Sequence, residues 1–365
     1  MKIMQIMPEF GLAGAEIMCE NLSYELAQRG NEMILVSLYT YHSAITDRLE
    51  REGIRIVYLG KKSGIDISIY RKLDNLIQRE KPDVIHTHRY VMQYSVPIGA
   101  KYHIGMVHTV HNVAEKEQEW GKRKLSYLFY KFANVTPVAL SKEIQKTVCK
   151  EYCLKEEKVP IVYNGEDLSK FNCKHDYKFV NKFKIIHIGR FMEVKNHLYL
   201  INEIIELLRS GFKIELFLLG DDNNSIGEEC KKRVTESGFQ QYIHFEGVQD
   251  RVQKYLEAAD VFVLPSKYEG IPMSIIEAMA CGLPIIASNV GGISDMLENN
   301  KSGLLIGEKC EGFKEAIKEL YYDGNKRTKL GMGAYKASKK FSVGAMADGY
   351  EDVYANILRR VHGKC

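Results

Sequence analysis

Along almost the whole chain, short apolar runs alternate with longer stretches whose apolar positions recur at helical spacing. Residues 2–7, 33–37, 55–58, 84–87, 106–110, 135–139 and 159–163 have the length and apolar content of buried strands. Between the first two, residues 16–29 put Met18, Leu22 and Leu26 on one face and stop at Gly30, as a helix does. Such alternation implies a mostly parallel sheet with helices on both faces.

The pattern breaks at a polar, Lys-rich stretch, 165–184, which reads as an interdomain linker, and then restarts. Strands are expected at 184–188, 214–219, 243–245, 261–264 and 284–288. Helices are expected between and after them at 198–209, 228–237, 252–259, 274–281 and 294–298. The reading is therefore α/β, with two Rossmann-like, doubly wound domains, residues 1–167 and 168–344. A terminal amphipathic helix, about 345–365, carries Met346, Tyr350, Val353, Ile357 and Val361 at helical spacing and suits a return to the first domain. A length of 365 residues agrees with two domains at about 150 residues each.

Composition narrows the function classes. Hydrophobic residues make up 45% and charged residues 27%, which excludes disorder, collagen-like repeats and a disulfide-stapled miniprotein. A net charge of +4 is too weak to argue for nucleic acid. The eight cysteines are scattered, and only Cys149 and Cys153 are close, so reduced thiols and no metal site are expected. No apolar run suits a signal peptide or a membrane span, which leads to a cytoplasmic expectation.

Three motifs fall where strand-to-helix loops are expected. In Pro8-Glu9-Phe10-Gly11-Leu12-Ala13-Gly14-Ala15-Glu16, Gly11 and Gly14 would let backbone amides approach an anion at a helix start. A tight turn needing glycine would explain them equally, and the three-glycine dinucleotide fingerprint is absent. Arg190 and Lys195 follow the first strand of the second domain. A guanidinium and an ammonium there suit a departing diphosphate, or else are two solvated charges. The third motif is Glu269-Gly270-Ile271-Pro272-Met273-Ser274-Ile275-Ile276-Glu277. It sets two carboxylates near one crevice, with Glu277 expected in the first helical turn. Ser274 with Glu277 also fits a capping box, which would account for Glu277 but not for Glu269 or Gly291-Gly292.

On these residues, together with Asn164-Gly165 and Asp167, the chain resembles the retaining glycosyltransferases of the GT-B fold, family four (group 1). The resemblance implies two Rossmann-like domains facing a central cleft, with a nucleotide diphosphate sugar bound without metal or other cofactor. Carried over by position, Arg190 and Lys195 would hold the diphosphate, Glu269 the sugar hydroxyls and Glu277 the ribose. Backbone at Ile271, Pro272, Met273 and Ser274 would help the phosphates, although Pro272 lacks a donor. The nucleobase would lie near Val248. His111 matches the position that reaches the donor sugar. His88 is expected on the same rim, on the acceptor side, with His86 and His108 pointing away. Catalysis would fall to Arg190, Lys195, Glu269 and His111, on a same-face mechanism in which the leaving diphosphate helps deprotonate the acceptor.

The expected activity is hexosyl transfer from a UDP-sugar to a glycan or polyprenyl-linked glycan, in capsule or exopolysaccharide assembly. The alternatives are a GT-B epimerase or phosphorylase, or a non-catalytic sugar-nucleotide-binding partner. Residues 120–132 mix Lys122, Arg123, Lys124 and Lys131 with Leu125, Leu128, Phe129 and Phe132. That pattern suits either a helix lying on an anionic membrane surface or a helix packed on the first sheet. The former would make the chain peripheral at the inner face of the cell membrane.

Overall fold

Every strand pairing among the described residues is parallel, as expected of strands apolar on both faces. The computed structural model describes residues 1–11, 14–117, 120–174, 176–179 and 181–363. It divides into two units, Met1–Glu166 with Ser342–Cys365, and Asp167–Phe341. In unit 1 the strands are β1 (Lys2–Met7), β2 (Glu32–Ser37), β3 (Arg55–Tyr58), β4 (Val84–His88), β5 (Gly105–Val110) and β6 (Val135–Ala139). Their order is β3-β2-β1-β4-β5-β6. Unit 2 contains β7 (Phe183–Ile188), β8 (Ile214–Leu219), β9 (Ile243–Gly247), β10 (Val261–Leu264), β11 (Ile285–Ser288) and β12 (Leu304–Ile306), in the order β12-β11-β10-β7-β8-β9. Strand order reverses between β1 and β4, and again between β7 and β10. Loops leaving neighbouring strands diverge there and open a crevice at the carboxyl edge.

The first helix, Gly14–Gln28, buries Met18, Cys19, Leu22 and Leu26. The last, Val343–His362, belongs to unit 1, where Met346, Tyr350, Tyr354 and Ile357 join the core. Arg29 ties it down by bonds to Asp348, Glu351 and the Gly344 carbonyl. Glycine is required where this helix is approached. A Cβ on Gly165 would sit 2.5 Å from the Ser342 carbonyl oxygen, and one on Gly105 would sit 2.5 Å from Ile357.

Three expectations need correction. Residues 159–163 form no strand and make a single bridge, Ile161 with Ala139; Pro160 has no N–H to continue the ladder. The stretch 165–184 is no free linker: Phe171 and Tyr177 are buried, and Tyr177 donates to the Gly282 carbonyl at 2.9 Å. The second sheet also gains β12, followed by helices Phe313–Tyr322 and Gly324–Ser338, beyond the reach of the sequence pattern.

Candidate functional site

In unit 2 the crevice is built by the loops after β7 and β10. Arg190 leaves β7 exposed, and among the described residues its guanidinium has no hydrogen-bond or ion-pair partner. Gly220 (φ +144°) lets the neighbouring backbone pass close, since its Cβ would fall 2.1 Å from the Gly189 carbonyl oxygen. A single 3₁₀ turn, Glu193–Lys195, then aims Lys195 across the crevice. Its Nζ lies 2.6 Å from Glu269 Oε1, which also accepts from Ser266 Oγ at 2.6 Å. The pair is half-buried on the lysine side and buried on the carboxylate side. The Lys267 amide donates to the Val194 carbonyl at 2.8 Å and locks the two loops together.

Gly291-Gly292 has a packing role here. The Gly292 amide donates to the Glu269 carbonyl at 3.1 Å, and a Cβ on Gly292 would meet the Gly270 carbonyl oxygen at 2.3 Å. Gly292 therefore packs against and holds the Glu269 loop.

The helix Met273–Ala280 starts at Pro272, and no side chain caps it. Ser274 thus lies inside the first turn and the capping box does not form. Glu277 falls one residue beyond that turn and is half-buried. Because Pro272 has no N–H, the free donors at this end are the amides of Met273 and Ser274, with Ile271 preceding them. Val248 stands 73% exposed after β9.

In unit 1 the crevice between β1 and β4 holds groups that sequence reasoning passed over. Glu16, in the first turn of the first helix, is buried and accepts from Arg89 Nη1 at 2.6 Å; its Oε2 has no partner among the described residues. Arg89 sits at φ +57°, a left-handed conformation that is strained for arginine. It directly follows the His86-Thr87-His88 run, which was the available signal. Gly11 and Gly14 show no positive φ, and a Cβ at either would meet no atom of the described residues within 4 Å. Turn strain and packing therefore do not require glycine at either place. Residues 12 and 13 lie outside the described residues.

His111 is half-buried at the end of β5, with its Nε2 3.1 Å from His88 Nδ1. His88 is fully buried beneath it rather than on the rim. Nor does His86 point away, for its ring centroid is 4.2 Å from that of His88, as residues two apart on a strand require. His86 bonds Tyr354 and Thr109, each at 2.7 Å, and His108 bonds Thr87 at 2.9 Å. Burial pushes all four histidines down, His108 and His111 to about 3 and His86 and His88 well below the ordinary 6.5. Burial also raises the Glu117 carboxyl to about 7, although the His111 and Asn112 amides donate to it.

The helix Trp120–Phe132 turns most of its apolar stripe outward, Phe129 alone of the four packing against the core. Leu125, Leu128 (48%) and Phe132 (76%) are exposed, while Ser126 and Tyr130 face inward. The sequence did not single out Ile65 and Ile67, yet they are 90% and 76% exposed. Their loop is firmly built. Lys61 Nζ donates to the carbonyls of Lys62 and Gly64, and Asp66 accepts from the Lys62 and Ser68 amides. No described helix is long and apolar enough to cross a membrane, and among the described residues no cluster of three or more His, Cys, Asp or Glu suits a metal ion.

Residues 12–170 match the family described as Glycosyltransferase Family 4, and residues 182–323 match Glycosyl transferases group 1. The chain is 30% identical to the UDP-Gal:alpha-D-GlcNAc-diphosphoundecaprenol alpha-1,3-galactosyltransferase of Escherichia coli, over 66% of this chain and 65% of that enzyme. It is 27% identical to the capsular polysaccharide biosynthesis glycosyltransferase CapH of Staphylococcus aureus, over 79% and 81%. The structure of Anabaena Alr3699/HepE in complex with UDP superposes with a TM-score of 0.82 at 18% identity, covering 98% of this chain and 100% of that one.

Proposed function

As the chain belongs to the group 1, family 4 glycosyltransferases of GT-B fold, we propose that it is a retaining, metal-independent hexosyltransferase using a UDP-sugar. Its acceptor is a glycan or a polyprenyl-diphosphate-linked glycan in cell-surface polysaccharide synthesis. The name of the Escherichia coli relative, which joins a UDP-sugar to a diphosphoundecaprenol acceptor, supports this substrate pair.

One observation carries the reading: the Lys195–Glu269 pair at 2.6 Å beside Arg190, which has no partner among the described residues, in the β7/β10 crevice. An ammonium and a guanidinium stabilise the charge that grows on a departing diphosphate, and so do the work a divalent cation would otherwise do. Glu269, held by Ser266 and Lys195, is an acceptor for sugar hydroxyls. Glu277 lies one turn along the helix for the ribose. With no carboxylate nucleophile invoked, the leaving diphosphate takes the acceptor proton on the face it vacates.

On the partner side, Leu125, Leu128, Phe132, Ile65 and Ile67 with the exposed Lys124 and Lys131 form apolar and cationic points on unit 1 for an anionic lipid surface. On this reading the protein lies peripherally at the membrane that holds its acceptor. Thermal protection across a panel of UDP- and GDP-sugars tests the donor. A true donor at 100 times its Kd raises stability by ~2.7 kcal/mol, and no protection by any of them sinks the reading. Flotation with anionic and with neutral vesicles tests the surface, and a Leu128→Asp, Phe132→Asp double variant should lose the anionic binding.

A further inference from the structure

Behind His111 runs a closed chain of hydrogen bonds whose directions are fully determined. Ser23 Oγ lies 2.6 Å from the Cys19 carbonyl, which can only accept, so the single hydroxyl hydrogen goes there. Toward Gln5, at 3.1 Å, Ser23 must therefore accept, and the Gln5 NH₂ faces Ser23. That leaves Gln5 Oε1 pointing the other way, 2.9 Å from Cys19 Sγ and 2.9 Å from His88 Nε2. An amide oxygen has no hydrogen to give, so His88 carries its proton on Nε2. Fully buried, this ring is neutral, and its Nδ1 is a bare lone pair. Across 3.1 Å, His111 Nε2 must then be the donor. His111 is also neutral, so its Nδ1 is unprotonated. Among the described residues that Nδ1 has no hydrogen-bond partner.

We propose that Gln5 and His88 are positioning residues that lock His111 in its Nε2–H tautomer, so that Nδ1 offers a lone pair to a hydroxyl group of a sugar substrate. This rests on the reading that the carboxyl edge of unit 1 meets substrate. The ligand group at Nδ1 must carry a hydrogen, which admits a sugar hydroxyl and excludes a phosphate oxygen. Arg89, the cation that helps depress His111, strengthens the same choice by opposing a second ring proton. This network explains a polar residue, Gln5, in the buried part of β1, where its neighbours from Ile3 to Met7 are apolar.

The test is imidazole ¹⁵N spectroscopy on the full chain with labelled histidine, His111 being assigned from the His111→Gln spectrum. Wild type should show His111 protonated at Nε2 and bare at Nδ1. Gln5→Leu removes the acceptor that orients His88. It should leave His111 a mixture of tautomers and lower kcat about tenfold, with a smaller change in donor KM. His88→Gln, whose amide can donate to Gln5 and accept from His111, should restore most of the turnover lost in His88→Leu. A wild-type His111 protonated at Nδ1 would overturn the assignment, as would a folded Gln5→Leu with the tautomer unchanged. If the spectra come out as stated but His111→Ala transfers sugar at the wild-type rate, the tautomer stands and the substrate-facing reading of this edge falls.

Discussion

The two units share one strand order and place an ion pair at the same point of it, with the charges exchanged. In unit 1 the acid, Glu16, follows the first strand and the cation, Arg89, follows the fourth. In unit 2 the cation, Lys195, follows the first strand and the acid, Glu269, follows the fourth. Both contacts are 2.6 Å. The topology therefore fixes where a crevice opens and leaves its chemistry to the loops. Unit 2 adds a second cation, Arg190, and suits a diphosphate. Unit 1 adds neutral, buried histidines and suits hydroxyl groups.

The largest consequence concerns acid. A histidine held neutral by burial takes up no proton as pH falls through 6.5, whereas the unfolded chain does. The stability it contributes is complete above about 6.5 and is lost below, by up to ~1.4 kcal/mol per pH unit for each group. Unit 1 has four such residues, His86, His88, His108 and His111. Unit 2 has His187, well below the ordinary value, and His197 at about 4. Glu117 works in the opposite sense: raised to about 7 from 4.5, it stabilises fully below 4.5 and loses that contribution as pH rises to 7. It offsets about one of the four. Between pH 6.5 and 5, hydrogen exchange should therefore rise in β1, β4 and β5 before β7 and β10. The reverse order would break the comparison.

Next in size is the division of labour itself. Arg190→Ala and Lys195→Ala should each lower kcat at saturating donor by about 10²-fold or more, ~3 kcal/mol of leaving-group stabilisation. Melting should show the variants folded, and chelation by EDTA should leave wild-type turnover unchanged. If Arg89→Ala abolishes UDP-sugar binding while both unit 2 variants keep it, the diphosphate has been assigned to the wrong unit.

A third effect separates glycines that fill space from glycines that leave it. At Gly165 a Cβ would lie 2.5 Å from the Ser342 oxygen and 2.8 Å from Val343 Cα, both backbone. Gly165→Ala should destabilise the docking of the last helix by ~1–3 kcal/mol, read as a lower Tm with proteolysis near residue 342. An unchanged Tm would mean that the chain ends here are looser than the packing implies.

Much of this was legible in the sequence, because long-period signals survive without tertiary context. Strand–helix alternation and the Glu269-to-Glu277 segment needed only local chemistry. What escaped depended on neighbours distant in the chain. Arg89 gains its meaning from Glu16, 73 residues away, and Gln5 from His88, 83 residues away. Gly291-Gly292 stands in the sequence as a pair that the capping box leaves unexplained, and the Gly270 backbone packed against Gly292 gives one of the two its reason. The stripe of Leu125, Leu128 and Phe132 had a clear helical period, but a period gives the existence of a face and not its direction. The turned-in side is Ser126 and Tyr130 with Phe129 partly buried beside them, so only one member of the expected stripe meets the core.

The smallest effect is also the sharpest probe of unit 1. Among the described residues, Gly11 and Gly14 show no positive φ and have nothing within 4 Å of their missing side chains. Alanine at Gly14, the first residue of its helix, should if anything gain a fraction of the ~1 kcal/mol that separates the two residues in helix interiors. Gly11→Ala should leave Tm unchanged. Packing among the described residues thus gives no reason for glycine at either position, and room for a ligand to approach the backbone is the reason to test. On that reading Gly11→Ala raises KM for one substrate several-fold with kcat little altered, the pattern of binding lost equally from ground and transition states. Were donor and acceptor KM both unmoved in the Gly11→Ala, Gly14→Ala double variant, this loop would not meet substrate. The proposed contrast between hydroxyl recognition in unit 1 and diphosphate recognition in unit 2 would then rest on the histidines alone.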